Sequence, residues 1–199
     1  DAFGAAQRGL EGDRESATGT LMLYGMALRA SGRPSEALDA IKEAREEFLA
    51  LGATQNAALA DSETAITLRA LGMPDAAVAY QQQALKQFEK LGSEEDVATC
   101  HVGLGNALRE MGKAAECVTH YEQALAFYRR TKSLKGAADS LLGLVHATIE
   151  LGKVREAKEL CEQAEQLYIQ LNSPAALAAL NSTFGAVLLS FHNGQRTAE

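Results

Sequence analysis

The chain has 199 residues, of which 47% are hydrophobic and 23% are charged, a composition typical of a folded globular protein rather than a disordered one. Its formal net charge of −7 lacks the basic excess that non-specific nucleic-acid binding requires. The sequence shows no apolar run long enough to cross a membrane and no signal-peptide pattern. We therefore expect neither a nucleic acid nor a membrane among its partners.

The three cysteines, Cys100, Cys117 and Cys161, are widely spaced. They do not form the closely spaced cysteine or histidine pairs that a zinc site requires, so the sequence predicts no metal and no other cofactor. We interpret them as buried, reduced thiols that pack as small apolar residues. This interpretation places the protein in a reducing, intracellular compartment, the cytoplasm.

A short phrase containing a glycine recurs every 40 residues along the chain. Its copies read SGRPSEAL, LGMPDAAV, MGKAAECV and LGKVREAK, and their glycines are Gly32, Gly72, Gly112 and Gly152. A fixed period of roughly 20 to 50 residues is typical of stacked repeats. The period predicts four full blocks and a partial one: 13–52, 53–92, 93–132, 133–172 and 173–192.

Each full block is predicted to hold two helices of similar length, with the glycine phrase between them. Prolines occur only where a helix is expected to begin, a place that tolerates the missing N–H: Pro34, Pro74 and Pro174. Serines recur at the starts of blocks and are predicted N-caps: Ser93, Ser133 and Ser173. Ser93 and Asp96 together resemble a capping box.

Aligned blocks share small and large residues at fixed positions. One position of the second helix is always alanine: Ala44, Ala84, Ala124 and Ala164. The position one turn later is always aromatic: Phe48, Phe88, Tyr128 and Tyr168. A glycine recurs within the first helix: Gly25, Gly105 and Gly185. These positions predict close crossings between neighbouring helices, where a larger side chain would force the helix axes apart.

The two ends of the chain differ from the blocks. Residues 1–12 form an N-terminal segment that we interpret as the remnant of a preceding helix, and residues 193–199 form a C-terminal tail. The predicted helix at 174–192 is strongly apolar, whereas the outer face of a terminal repeat is normally polar. Two interpretations remain open: the chain is a piece of a longer array, or it self-associates through 174–192.

The segment LGNALREMGK at 104–113, followed by Tyr121 and Ala124, resembles a tetratricopeptide repeat. That repeat typically has about 34 residues, whereas the period here is 40, similar to the long arrays of LGN/Pins polarity scaffolds and MalT-type bacterial regulators. The resemblance covers about residues 13–192. It implies an all-α fold, a right-handed superhelical solenoid of antiparallel helix pairs with about four and a half repeats. Block 53–92 departs from the pattern at Ala65 and Gln81.

The resemblance also implies a function, because the first helices of such arrays line a concave groove that binds extended or helical peptides. One groove position carries arginine in three successive blocks: Arg29, Arg69 and Arg109. Other groove positions are mostly apolar: Met22, Met26, Ile66, Val102, Asn106, Leu142 and His146. Ser62 is expected at the same position as Met22 and Val102. Guanidinium groups bind carboxylates through paired donors, so we predict an amphipathic peptide ligand with acidic residues, supplied by a partner protein.

The arginines also admit an interpretation as ordinary surface charges that pair with nearby acids such as Glu63, Glu110 or Asp139. The sequence contains no nucleophile elbow, phosphate-binding loop or metal pair, so we predict a non-catalytic protein-interaction module. Two other functions stay open: a regulatory or sensor domain for a small molecule or signalling peptide, and a structural self-assembly unit.

Overall fold

The computed structural model describes the backbone of residues 2–196 and the side chains of residues 12–185. The described backbone is entirely helical apart from short turns, with these helices: α1 (Ala2–Ala30), α2 (Pro34–Ala50), α3 (Thr54–Ala70), α4 (Pro74–Leu91), α5 (Glu94–Glu110), α6 (Ala114–Arg130), α7 (Leu134–Glu150), α8 (Val154–Gln170) and α9 (Pro174–Arg196). Consecutive helices pack as antiparallel pairs, which confirms the predicted all-α architecture.

The chain divides into two compact units, Asp1–Ala107 and Leu108–Glu199. In the first unit α1 packs on α2, α2 on α3 and α3 on α4, and α1 also contacts α3 directly. The part of α5 in this unit packs on α3 and α4 through Cys100 and Ala107. In the second unit the order continues, with α6 on α7, α7 on α8 and α8 on α9.

The ends of the helical part extend beyond the predicted blocks. Residues 2–12 continue directly into α1, and α9 runs on to Arg196. The apolar side chains predicted near the end of α9 lie outside the described side chains: Val187, Leu188, Leu189 and Phe191. Self-association through 174–192 and the block boundaries therefore stay predictions.

The alanine position is fully buried in every second helix, as predicted. Ala44, Ala84, Ala124 and Ala164 each have 0% of their surface exposed. The aromatic rings one turn later are also buried, at 8% exposed or less: Phe48, Phe88, Tyr128 and Tyr168. In the first unit Ala44 and Phe48 of α2 pack against Ala57 and Ala60 of α3, so the small and large positions interlock consecutive repeats.

The recurring glycine of the first helix marks a close crossing at Gly25 but not at Gly185. A Cβ added at Gly25 would lie 2.6 Å from Cγ1 of Ile41, so α1 and α2 approach too closely for a side chain. A Cβ at Gly185 would meet no atom within 4 Å, so the prediction is wrong there. The reason is that no described helix packs against that face of α9.

Three further close approaches were not predicted from the alignment, and at one of them a Cβ on Gly136 would lie 2.4 Å from Cδ1 of Tyr128. A Cβ at Gly103 would lie 2.7 Å from Cδ of Gln81, and a Cβ at Gly143 would lie 2.4 Å from Cε1 of Tyr121. Gln81 and Tyr121 thus fill space that a glycine leaves in the first helix of the next repeat. The space left by Gly103 accommodates the side chain of Gln81 at a position that carries Ile41 in the first block, and the hydrogen bond from its Nε2 to the hydroxyl of Ser62 satisfies its polar end.

Each described helix after α1 is preceded by a residue in the left-handed backbone conformation, and these residues recur every 20 residues: Gly32, Gly52, Gly72, Gly92, Gly112, Lys132, Gly152 and Asn172. At the end of α6 the N–H of Lys132 donates to Arg129 O at 3.3 Å, and the N–H of Ser133 donates to Tyr128 O at 2.9 Å. This pair of bonds is a Schellman motif. Lys132, with φ of 57°, adopts it without being a glycine or an asparagine.

The serine caps agree only in part with the prediction. Ser93 donates from its hydroxyl to Oδ2 of Asp96 at 2.6 Å, which joins the two residues of the expected capping box through their side chains. Ser133 stands at the N-cap of α7, but its side chain makes no capping hydrogen bond, so the prediction is wrong at this residue. The turn there is closed by backbone bonds, among them the N–H of Ala137 donating to Ser133 O at 3.0 Å, and by the hydroxyl of Thr131, which donates to Phe127 O at 3.2 Å.

We expect Ala124→Leu to lower the free energy of unfolding by about 1–3 kcal/mol, because a larger side chain at a fully buried helix crossing forces the backbones apart. The matched control is Ala126→Leu, at an exposed position of the same helix, which should change it by less than about 0.5 kcal/mol. Urea unfolding followed by circular dichroism measures both. Equal midpoints for the two variants would contradict the role of the alanine position.

Lys132→Gly is expected to raise the free energy of unfolding by about 1 kcal/mol, because it removes the steric cost of a side chain in the left-handed conformation. The reverse change, Gly112→Lys, places lysine in the same conformation in the preceding turn, between α5 and α6, and should lower the free energy of unfolding by a similar amount. Thermal unfolding compares both variants with the parent. A loss of stability in Lys132→Gly would show that its side chain stabilises the fold.

Candidate functional site

Most of the predicted groove residues lie in the first unit, on one face of α1, α3 and α5: Met22, Met26, Arg29, Ile66, Arg69, Val102 and Asn106. All of them are half-buried, between the fully buried residues that hold the helices together and the exposed ones. Spacings of three and four residues place them side by side along each helix. These three helices thus each carry a half-buried stripe that includes apolar side chains, with Arg29 and Arg69 on two of them.

Arg29 of α1 forms hydrogen bonds with α3, the first helix of the next block. Its Nη1 donates to Oε2 of Glu63 at 2.7 Å, to the backbone oxygen of Glu63 at 3.4 Å and to Oγ1 of Thr67 at 3.2 Å. The side chains of Arg29 and Glu63 are each 19% exposed, so the pair is partly shielded from water. The structure thus supports the interpretation in which the arginine pairs with a neighbouring acid, here Glu63.

Ser62 does not share the exposure of Met22 and Val102, which occupy the same repeat position. It is 8% exposed, and its hydroxyl accepts a hydrogen bond at 3.1 Å from Nε2 of Gln81. The expectation that Ser62 lines the groove is therefore wrong. The physical reason is that the buried amide of Gln81 needs a hydrogen-bond partner, and Ser62 supplies it.

The second unit contains the other predicted residues, Arg109, Leu142 and His146, which are also half-buried. Arg109 donates from Nη1 to Oε1 of Glu150 at 3.3 Å, so this arginine too is paired with an acid of the next repeat. Burial lowers the pKa of His146, and the nearby positive charge of Arg109 lowers it further, while Glu150 acts in the opposite direction. His146 is therefore neutral at pH 7.

The cysteines are unreactive packing residues rather than a chemical site. Cys100, Cys117 and Cys161 are buried and free of disulfides, which confirms their predicted packing role. Burial raises the pKa of Cys100 to about 12, although a hydrogen bond with Gln81 lowers it in part. Burial also raises the pKa of the Cys117 and Cys161 thiols to about 11 each, so thiolates are scarce at neutral pH.

Metal binding and membrane insertion find no support in the part of the chain that the structure describes. No three or more histidine, cysteine, aspartate or glutamate side chains come together there in a way that would hold a metal ion. None of the helices there combines the length and the hydrophobicity that crossing a membrane demands.

Antiparallel helix pairs with a 40-residue period, interlocked by alanine and aromatic positions, define a helical-repeat protein. Comparison with family models then indicates the type of helical repeat. Residues 56–130, which run from α3 to the end of α6, match the model of the tetratricopeptide repeat. No curated protein matches the sequence significantly.

Solved structures with the same fold include proteins of several kinds. The nearly identical TPR-like repeats of a Podosopora anserina protein assigned to the kinesin light chains share 21% identity, with a TM-score of 0.73 over 92% of this chain and 90% of that one. Aspartyl phosphate phosphatase F of Bacillus subtilis shares 12% identity, with a TM-score of 0.79 over 93% of this chain and 51% of that one.

A Rap protein in complex with competence and sporulation factor shares 18% identity, with a TM-score of 0.72 over 89% of this chain. The chain spans only about half of this neighbour and of the Bacillus phosphatase, 52% and 51% of their lengths. At these identities the likeness establishes the fold, a tetratricopeptide-type array of helix pairs. The long-repeat subtype of LGN/Pins and MalT arrays stays a prediction.

We expect Arg109→Gln to raise the pKa of His146, because the change removes a nearby positive charge, while burial keeps the pKa below its ordinary value of 6.5. NMR titration of the imidazole protons measures the shift. Arg155→Gln, at an exposed position of α8, is the matched control and should leave it unchanged. An identical His146 pKa in the parent and Arg109→Gln would refute the assigned cause.

The same pKa determines how His146 affects stability. Because the pKa in the folded protein is below that in the unfolded chain, the unfolded chain binds the proton more tightly. The stability contributed by the neutral ring is therefore present above pH 6.5 and is lost as the pH falls through the folded-state pKa.

Proposed function

We propose that the chain is a non-catalytic interaction module that binds a segment of another protein on the half-buried face of the first unit. The observation that carries this proposal is the composition of that face. Met22, Met26, Ile66 and Val102 offer partly exposed apolar surface, and methionine side chains adapt readily to a ligand. Partly exposed apolar surface rimmed by polar groups is typical of a binding site.

The proposed ligand is amphipathic and carries acidic residues. All the hydrogen bonds of Arg29 to Glu63 and Thr67 leave from Nη1. Its Nε and Nη2 therefore keep donors for the side-on, two-bond geometry that a ligand carboxylate prefers. Glu63 fixes the orientation of the guanidinium and offsets part of its charge, so recognition would depend more on geometry than on long-range attraction.

The structural neighbours agree with this class of function. The Rap protein was solved with competence and sporulation factor bound, so a related fold accommodates a binding partner. The same neighbour favours one alternative, a regulatory domain that senses a signalling peptide or a small molecule. A ligand from that alternative would bind as a free molecule, whereas the leading proposal needs a segment within a partner protein.

The experiment is a peptide-display selection on the purified chain, followed by affinity measurement with the selected peptides. We expect acidic, amphipathic peptides, and we expect Arg29→Gln/Glu63→Gln to weaken their binding about tenfold or more, because it removes the charged donor while keeping a neutral hydrogen-bonding pair. Met26→Asp should weaken binding as well, because it places a charge on the apolar face.

The matched control is Arg33→Gln, which removes an exposed arginine of the same unit that pairs with Glu36. It should bind the peptides like the parent. If Arg33→Gln weakens binding as much as the double variant does, the effect is one of net charge, and the proposed face is wrong. Selection of peptides without acidic residues would contradict the predicted ligand chemistry.

A further inference from the structure

The second unit contains a cleft of about 330 Å³ between the end of α6, the following turn, the start of α7 and the middle of α8. Its floor is apolar and includes Ala137, Leu141 and Leu167. Leu141 lies next in sequence to Leu142, but the two side chains belong to different faces of α7. The cleft is therefore separate from the half-buried face that carries Leu142.

The apolar floor differs from the corresponding region two blocks earlier. Two blocks earlier in the chain, the position of Leu141 is occupied by Asp61, which forms a buried ion pair with Arg45. In the second unit the corresponding residues are Leu141 and Leu125, both buried. Leucine side chains thus stand in the second unit where the earlier block has an ion pair, and they form a floor suited to an apolar group.

The rim of the cleft is basic. Arg129 donates from Nη2 to Oε1 of Gln163 at 2.6 Å, which fixes the guanidinium at the edge of the cleft. The ammonium group of Lys132 makes no hydrogen bond or ion pair with the described residues. Of the described residues that line the cleft, none is acidic. A cationic edge above an apolar floor is complementary to an apolar group that carries a negative charge.

Lys132 is also the residue whose backbone conformation is least suited to its side chain. Glycine occupies the equivalent turn position after most other helices, and Asn172 is of the residue type that tolerates this conformation best. Stability alone would favour glycine at 132. Unfavourable backbone geometry that is retained at the edge of a cleft is characteristic of functional positions.

We propose that this cleft binds a second peptide segment, which places a bulky apolar side chain on the floor and a carboxylate beside Arg129 and Lys132. A volume of about 330 Å³ is at the lower end of small-molecule pockets and suits one large side chain. The amides of Gln163 and Gln166 line the same cleft and can pair with the backbone N–H and C=O groups of a peptide. The site is independent of the face proposed in the first unit.

The test uses a blocked peptide, acetyl-Ala-Asp-Phe-Asp-Ala-amide, titrated into the ¹⁵N-labelled chain. We expect saturable shifts of amide signals confined to the end of α6, the first half of α7 and the middle of α8. Two matched peptides, with asparagine in place of aspartate or alanine in place of phenylalanine, should bind about tenfold more weakly or not at all.

The variants separate binding from stability. Lys132→Gly is expected to melt at a higher temperature and yet bind the peptide about tenfold more weakly, and Arg129→Gln should weaken binding with little change in melting. Arg130→Gln, whose guanidinium lies 5.5 Å from the ring of Phe127 and does not line the cleft, is the charge-matched control and should bind like the parent.

Several results would overturn the proposal. These are equal affinity for the aspartate and asparagine peptides, unchanged affinity in Lys132→Gly, and shifts centred on Leu142 and His146 instead of the cleft. A folded Lys132→Gly variant is assured by its own melting curve, so loss of binding in it cannot be attributed to unfolding.

Discussion

Complete burial at the alanine position is the constraint on which the rest of each unit depends. Ala44, Ala84, Ala124 and Ala164 have no exposed surface, so the second helix has no freedom to rotate or to move away from its neighbours. On the first helices, the predicted groove residues form a half-buried stripe. The candidate binding face is this half-buried stripe, whose side chains can vary without disturbing the crossing.

The two proposed binding surfaces use positive charge in different ways. On the face of the first unit, Arg29 is held by Glu63 and Thr67, so its guanidinium is oriented and partly neutralised before a ligand arrives. In the cleft of the second unit, Lys132 has no ion-pair partner among the described residues, and its backbone adopts a conformation that is unfavourable for a residue with a side chain. The oriented guanidinium of Arg29 favours a ligand carboxylate that approaches in one geometry, whereas the ammonium group of Lys132 attracts a carboxylate from any direction.

The sequence was sufficient to predict what repetition determines, and insufficient where side chains choose between partners. The period of 40 residues and the alanine and aromatic positions predicted the helix pairs and their packing, because each block solves the same packing problem. The pairing of Arg29 with Glu63 could be predicted only as one of several possible ion pairs, because the sequence contains more than one acidic residue that could reach the arginines. The burial of Ser62 was missed because it depends on a hydrogen bond from Gln81, which is present in a single block. The cleft beside Lys132 was also missed, because it too depends on a residue that departs from the repeat pattern, here a lysine where most other turns have glycine.

The fit between Tyr121 and Gly143 has a consequence for the order of the blocks. In the second unit the ring of Tyr121 lies where a Cβ on Gly143 would be only 2.4 Å away. The equivalent residue in block 53–92 is Glu63, whose side chain would occupy that space. A rearranged gene that placed block 53–92 directly after block 93–132 would therefore encode a steric collision at their junction. Although the blocks share one sequence pattern, they are not interchangeable, because the buried side chains of each block fit only the block that follows it.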